Sequence, residues 1–204
     1  PLVVTDPKEE RLVEARLGLQ TIDYRSRKAL KLGLFGEYQY RNSALALDVI
    51  DVLQKKGYAI SEEAVREGME KVFWPGRFQL LRKDPVILLD GAHNPDGAQV
   101  LADSLRSYFP GKKFNFMMGV MADKDYTDMY AEMAPYIDRF VAVTPDNPRA
   151  MSAEDLAAFL GQFGREAQAA PTDAMALAGK DGVVLAFGSL YMTGTIRETV
   201  RKSL

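Results

Sequence analysis

The sequence predicts an α/β protein in which a mainly parallel sheet, flanked by helices, follows a smaller first domain. Three observations carry this. From Pro85 onward, apolar strand-like runs alternate with helical runs, as parallel strands joined by crossover helices require. The composition shifts near Leu81 to Asp84, so the domains are drawn as 1–83 and 84–204. Apolar residues make up 47% of the 204 positions, enough for a packed core.

The first domain opens with Pro1 to Thr5, which reads as a strand already under way. Lys8 to Gly18 carries charges with leucines at intervals and predicts a short helix. Ala29 to Phe35 alternates and predicts a strand, stopped by Gly36. Arg41 to Lys56 predicts a helix, with Leu45, Val49 and Leu53 as its apolar face and Gly57 just past its end. Ser61 is a good N-cap for a second helix to about Val72, with Glu62 and Glu63 in the first turn and Ile60 placed to pack on Val65. Pro75-Gly76 then reads as a loop, with strand-like residues after it. The aromatic residues Phe73, Trp74 and Phe78 read as packing between domains.

In the second domain the strands are Val86 to Leu89, Phe114 to Met118, Arg139 to Val143 and Val183 to Phe187, with a short one near Glu166 to Ala169. The helices are Pro95 to Tyr108, Asp125 to Tyr136, Ala153 to Phe163, Thr172 to Ala178 and Met192 to Lys202. Leu101, Leu105 and Tyr108 form the inner face of the first.

Composition narrows the function. The 26 basic and 28 acidic side chains leave a formal charge of -2, which argues against nucleic acid as the main partner. There is no cysteine and one histidine, so disulfides, thiolate metal sites and histidine metal clusters are excluded. No apolar run is long enough to span a bilayer and no signal pattern opens the chain; the expectation is a cytoplasmic protein without a membrane partner.

The polar residues are distributed unevenly. Asp90-Gly91-Ala92-His93-Asn94-Pro95, Gly119 to Asp125, Thr144 to Arg149 and Gly188-Ser189-Leu190-Tyr191 each follow a strand, whereas Pro110 to Lys113 and Gly179 to Gly182 are plain turns. Parallel strands put the four polar loops at one end of the sheet, where open α/β sheets bind ligands. Capping alone explains any single loop, and Asn94 before Pro95 fits N-cap and N1. It does not explain Asp90, His93 and Asn94 together.

The stretch LLDGAHNPDG at Leu88–Gly97 resembles the junction motif of folylpolyglutamate and dihydrofolate synthases, members of the ATP-dependent Mur-type amide ligases. Gly36-Glu37-Tyr38-Gln39-Tyr40-Arg41-Asn42, Trp74-Pro75-Gly76-Arg77-Phe78-Gln79 and Gly188-Ser189-Leu190-Tyr191 resemble three further family motifs, in the right order. The resemblance runs from about Leu34 to the C-terminus. It implies the end of a P-loop-type ATPase domain followed by a complete Rossmann-like C-terminal domain that binds glutamate. It also implies the reaction: ATP phosphorylates a carboxylate, and the amine of an amino acid attacks the acyl phosphate.

By that resemblance Asn42 recognises adenine; on residues alone it reads equally well as a helix cap. Arg77 neutralises the transferring phosphoryl group, a task suited to a planar, permanently charged guanidinium. Asp90 accepts from the ribose. His93 and Asn94 face the nucleotide and the incoming amino acid, and a neutral His93 suits a proton acceptor. Ser189, with Tyr191, grips glutamate. Lys124 and Arg149 are placed to meet its carboxylates, although Lys124 reads equally well as a solvated loop lysine. The cofactors implied are ATP and Mg²⁺, and the substrates glutamate and a folate or dihydropteroate.

No Gly-x-x-x-x-Gly-Lys-Ser/Thr occurs in the chain, and Tyr38 stands where the family often has histidine. The expectation is a C-terminal portion, with metal ligands upstream, that does not catalyse ligation alone; monomers are usual among the relatives. The alternatives are a non-catalytic nucleotide or amino-acid binding module, and a Mur-type ligase for another amino acid.

Overall fold

The computed structural model describes residues 2–164, 167–171 and 183–202. The chain divides into two compact units, Pro1–Trp74 and Pro75–Leu204.

The first unit is built on an antiparallel hairpin. After a 3-10 turn at Pro7–Glu9, β1 (Glu10–Arg16) pairs with β2 (Leu19–Tyr24), and β2 with β3 (Arg27–Leu32), in the order β1-β2-β3. Arg16 is opposite Leu19, so Leu17-Gly18 is a two-residue turn with Gly18 at φ 80°. The helix expected over Lys8 to Gly18 is thus a turn and a strand. Pairing across the hairpin overrides a local pattern that charged side chains made helix-like. Leu2 to Thr5 form no strand. Ala29, at φ 52°, donates its N–H to Asp23 Oδ1 at 2.9 Å. That bond and the Arg11 guanidinium hold the Asp23 carboxyl below its ordinary range.

Helix α1 spans Glu37–Lys55 and α2 spans Glu62–Lys71. Ser61 caps α2 through Ala64 N at 3.1 Å, and Gly57 follows α1 at φ 92°. Ile22, Tyr24, Leu30, Leu32, Ala44, Leu47 and Val65 make the core, with Tyr40, Ile50 and Ile60 against it. The buried stripe of α1 therefore runs through Ala44 and Leu47. Leu45 and Val49, expected inside, are 58% and 52% exposed. Asp48 takes an inner position because Arg25 reaches it at 2.6 Å.

The second unit holds a six-stranded sheet in the order β4-β5-β9-β6-β7-β8. Its strands are β4 (Gln79–Lys83), β5 (Val86–Leu89), β6 (Phe114–Met118), β7 (Ile137–Ala142), β8 (Ala167–Ala169) and β9 (Val183–Phe187). All neighbours are parallel except β4 with β5. The sequence boundary at 83/84 is thus displaced: β4 belongs to the second sheet, and the units divide between Trp74 and Pro75.

The helices are α3 (Pro95–Tyr108), α4 (Tyr126–Met133), α5 (Ala153–Gly161) and α6 (Thr193–Lys202). Pro135 lies in a 3-10 turn after α4, and another 3-10 turn, Leu190–Met192, precedes α6. Met192 and Ile196 pack on Leu89, Met117, Val141 and Ala186. On side chains of the alternate strand positions, Phe116 meets both Phe140 and Phe187 edge-on. The helix expected over Thr172 to Ala178 lies outside the described residues. Among the described residues no helix is long and apolar enough to cross a membrane.

Candidate active site at the carboxyl rim of the second sheet

The rim is assembled by backbone hydrogen bonds between loops. Asp90 N donates to Ala186 O at 2.9 Å, Gly188 N to Ala92 O at 2.9 Å, and Gly119 N to Phe187 O at 3.3 Å. The loops after β5, β9 and β6 are thereby stitched in strand order. The loops after β6 and β7 join through Ala122 N to Arg149 O at 2.9 Å and Met151 N to Val120 O at 3.0 Å. The polar loops expected at one end of the sheet are at one end.

The turn carrying Arg77 belongs to the same rim. Gly91 N donates to Gly76 O at 2.7 Å, and Phe78 N to Asp90 Oδ2 at 2.7 Å. Gly76 N donates to the side-chain oxygen of Gln79 at 3.1 Å. Phe78 is fully buried within this unit, its ring 5.9 Å from that of Tyr108. Phe73 and Trp74, in the first unit, are exposed. The Arg77 side chain is exposed between two anchored neighbours.

Asp90 is buried, at 3% exposure. Its Oδ1 accepts from Ala92 N at 2.7 Å and its Oδ2 from Phe78 N. His93 is half-buried, with Nδ1 2.8 Å from Gly91 O. A carbonyl only accepts, so Nδ1 carries the proton and Nε2 of neutral His93 keeps its lone pair. Asn94 is the N-cap of α3, accepting from Gly97 N at 2.8 Å. Here capping and exposure coexist: the residue is exposed while its Oδ1 serves the start of α3.

Ser189 is buried and accepts from Tyr191 N at 3.2 Å, whereas Tyr191 is 52% exposed. Lys124 is exposed in the loop after β6. Arg149 pairs with Asp123 at 3.1 Å, so the charge expected to meet a ligand carboxylate already meets one of the protein's own. Thr144, after β7, has no role in the sequence reading beyond its loop. Its Oγ1 accepts from Ala153 N at 2.8 Å, and it lines a cleft of about 310 Å³ with Ala153, Glu154, Ala169, Ala170 and Pro171. Gln79 likewise has no role in the sequence reading; only its spacing three residues after Gly76 hints at a turn contact. Asn42 stands on α1 of the first unit, exposed and inside the helix rather than at its cap, which Gly36 occupies. Its Nδ2 lies 3.4 Å from Gln39 Oε1.

Residues 76–190 match the family model described as Mur ligase, glutamate ligase domain. The dihydrofolate synthase/folylpolyglutamate synthase of Bacillus subtilis is 30% identical over 177 residues, covering 84% of this chain and 41% of that protein. The crystal structure of Thermotoga maritima folylpolyglutamate synthase superposes with a TM-score of 0.81 at 27% identity, over 96% of this chain and 47% of that one. Mycobacterium tuberculosis folylpolyglutamate synthase, complexed with ADP and AMPPCP, gives 0.79 at 27% identity, over 95% and 48%. The chain spans less than half the length of these relatives. The chain therefore belongs to the family described as Mur ligase, glutamate ligase domain.

Proposed function

We propose that this chain forms the C-terminal portion of an ATP-dependent ligase that joins glutamate to a folate, as folylpolyglutamate synthase and, by the same chemistry, dihydrofolate synthase. The observation that carries the reading is the clamped pair of turns that sets Arg77 and His93 on one rim, in a domain whose relatives bear those names. ATP falls to Asn42 for the adenine, Asp90 for the ribose, Arg77 for the phosphoryl group, and His93 and Asn94; glutamate falls to His93, Ser189, Tyr191 and Lys124. The substrates are small molecules, and the near-balanced charge speaks against a nucleic-acid partner; the protein is read as a cytoplasmic monomer without a membrane partner.

The chemistry follows from the groups. A carboxylate is a poor electrophile; its oxygen attacks the terminal phosphorus of ATP, ADP leaves, and an acyl phosphate results. Arg77 offers paired donors to the charge that builds on the phosphoryl oxygens. The amine of glutamate then attacks the acyl carbon and phosphate leaves. The attacking ammonium must lose a proton, and Nε2 of His93 is the lone pair available to accept it. ATP would be taken with Mg²⁺, which when bound would supply positive charge against the phosphates. Among the described residues no group of three or more His, Asp or Glu side chains is arranged to hold a metal ion, and no step here runs through one.

The test measures ADP release with ATP, Mg²⁺, tetrahydrofolate and each of several amino acids. It compares the chain alone with the chain joined to a P-loop-bearing N-terminal half. The expected result is release only in the joined protein and only with glutamate. Nucleotide binding without turnover in either protein would favour a binding module; turnover with a different amino acid would favour another Mur-type ligase.

A further inference from the structure

We infer that Asp90 and Gln79 are positioning residues for Arg77, the Asp90 carboxylate acting by stapling two turns together. The inference rests on the reading of Arg77 as the phosphate-facing group.

The turn that carries Arg77 is conformationally expensive. Gly76 has φ 70°, and Phe78, a bulky L-residue, has φ 42°. A left-handed conformation of that kind persists only where the surroundings over-determine it. Here they do so on both sides of Arg77. Before it, Gly76 donates to Gln79 Oε1 at 3.1 Å and accepts from Gly91 N at 2.7 Å. After it, Phe78 donates to Asp90 Oδ2 at 2.7 Å and buries its ring completely. The arginine side chain itself is left exposed at the apex.

Asp90 connects this turn to the next one. Its other oxygen accepts from Ala92 N at 2.7 Å, fixing the turn that leads to His93. One buried carboxylate thus sets the geometry of both turns, and hydrogen bonds to a charged acceptor are the strong kind. Gly91 lets the two turns touch: a Cβ there would lie 3.2 Å from Gly76 O and run into the Leu190 side chain. Asp90 is 3% exposed and gives one oxygen to each of two backbone amides.

The experiment is amide hydrogen exchange on the 204-residue chain and its variants Asp90→Asn, Gln79→Ala and Gln79→Glu, with tryptic cleavage after Arg77 as a second readout. In Asp90→Asn, which keeps a single acceptor oxygen, at least one of the Phe78 and Ala92 amides should exchange about tenfold faster or more, while Met117 and Leu185 in the central strands stay protected. Gln79→Ala should speed cleavage after Arg77, and Gln79→Glu, which keeps an acceptor for Gly76 N, should return it to the parent rate. Unchanged protection at both Phe78 and Ala92, or equal acceleration at every amide, overturns the inference. If Asp90→Asn does not fold, the Gln79 pair decides alone. Binding of ATP, 2′-deoxy-ATP and 3′-deoxy-ATP separates the two roles. A staple weakens all three together, and adding Arg77→Ala to Asp90→Asn weakens them no further. A ribose ligand loses only its preference for ATP. A protein joined to the P-loop-bearing N-terminal half that binds none of them would remove the proposed function, while the exchange result would still judge the staple.

Discussion

A Cβ placed on Gly188 would lie 2.5 Å from the carbonyl oxygen of Gly119. These two glycines end β9 and β6, and their contact lets the central loops of the rim close on each other. Gly188 also has φ 108°, a conformation that side chains rarely adopt. Gly188→Ala therefore meets both strain and a backbone clash, and should destabilise the chain by about 2–4 kcal/mol. Gly57→Ala is the control: φ is 92° but a Cβ there meets open space, so it should cost only about 1 kcal/mol. Chemical denaturation of the two variants checks the difference; equal losses would show that the clash is relieved by a small backbone shift.

Asn94 carries two roles that substitution can separate. Its Oδ1 accepts from Gly97 N at the start of α3. Asn94→Ala should lose about 1 kcal/mol of stability, whereas Asn94→Asp keeps an acceptor at the positive helix end and should stay near the parent. The aspartate has no amide donors to give a ligand. The expected outcome for Asn94→Asp is normal thermal stability with weakened nucleotide or glutamate binding. Unaltered binding would leave Asn94 as a cap alone.

The second unit was legible because each of its long strands is a short apolar run followed by a polar loop, and parallel topology sends such loops to one rim. The first unit was not. In α1 the sequence holds two apolar stripes, one through Ala44 and Leu47 and one through Leu45 and Val49. Asp48 on the inner side made the wrong stripe look cleaner, and only Arg25, 23 positions earlier in the sequence, explains its burial. The site divides in the same way. Asp90, His93 and Asn94 announced themselves as a polar cluster after a strand. That Asp90 holds Phe78, or that Asp123 holds Arg149, depends on contacts between segments that no local pattern encodes.

Tyr24 gives the first unit a pH dependence. Burial, reinforced by the neighbouring Asp48 carboxylate, pushes its phenol up to about 12 from an ordinary value of 10. The neutral phenol is the form the fold favours. Its contribution is fully present below pH 10 and is lost as pH rises through about 12. Denaturation midpoints should hold steady up to about pH 10 and fall beyond it. In Tyr24→Phe the part of that fall due to this phenol should vanish. A tyrosinate absorbance titration in which every tyrosine ionises together near pH 10 would count against the shift.

His93 offers a test of the proton-transfer step itself. Its Nδ1 is committed to Gly91 O, so Nε2 is the acceptor that the ring presents. If Nε2 takes the proton of the attacking ammonium, His93→Ala in the joined protein should slow glutamate-dependent turnover by about 10²–10⁴-fold. Formation of the acyl phosphate should continue. Hydroxylamine is neutral under these conditions and needs no base to attack, so trapping of the acyl phosphate as a hydroxamate should run at close to the parent rate. Were His93 instead a nucleotide contact, ATP consumption and hydroxamate formation would fall together, because the acyl phosphate would never form. The ratio of the two rates, rather than either rate alone, therefore identifies which step the imidazole serves.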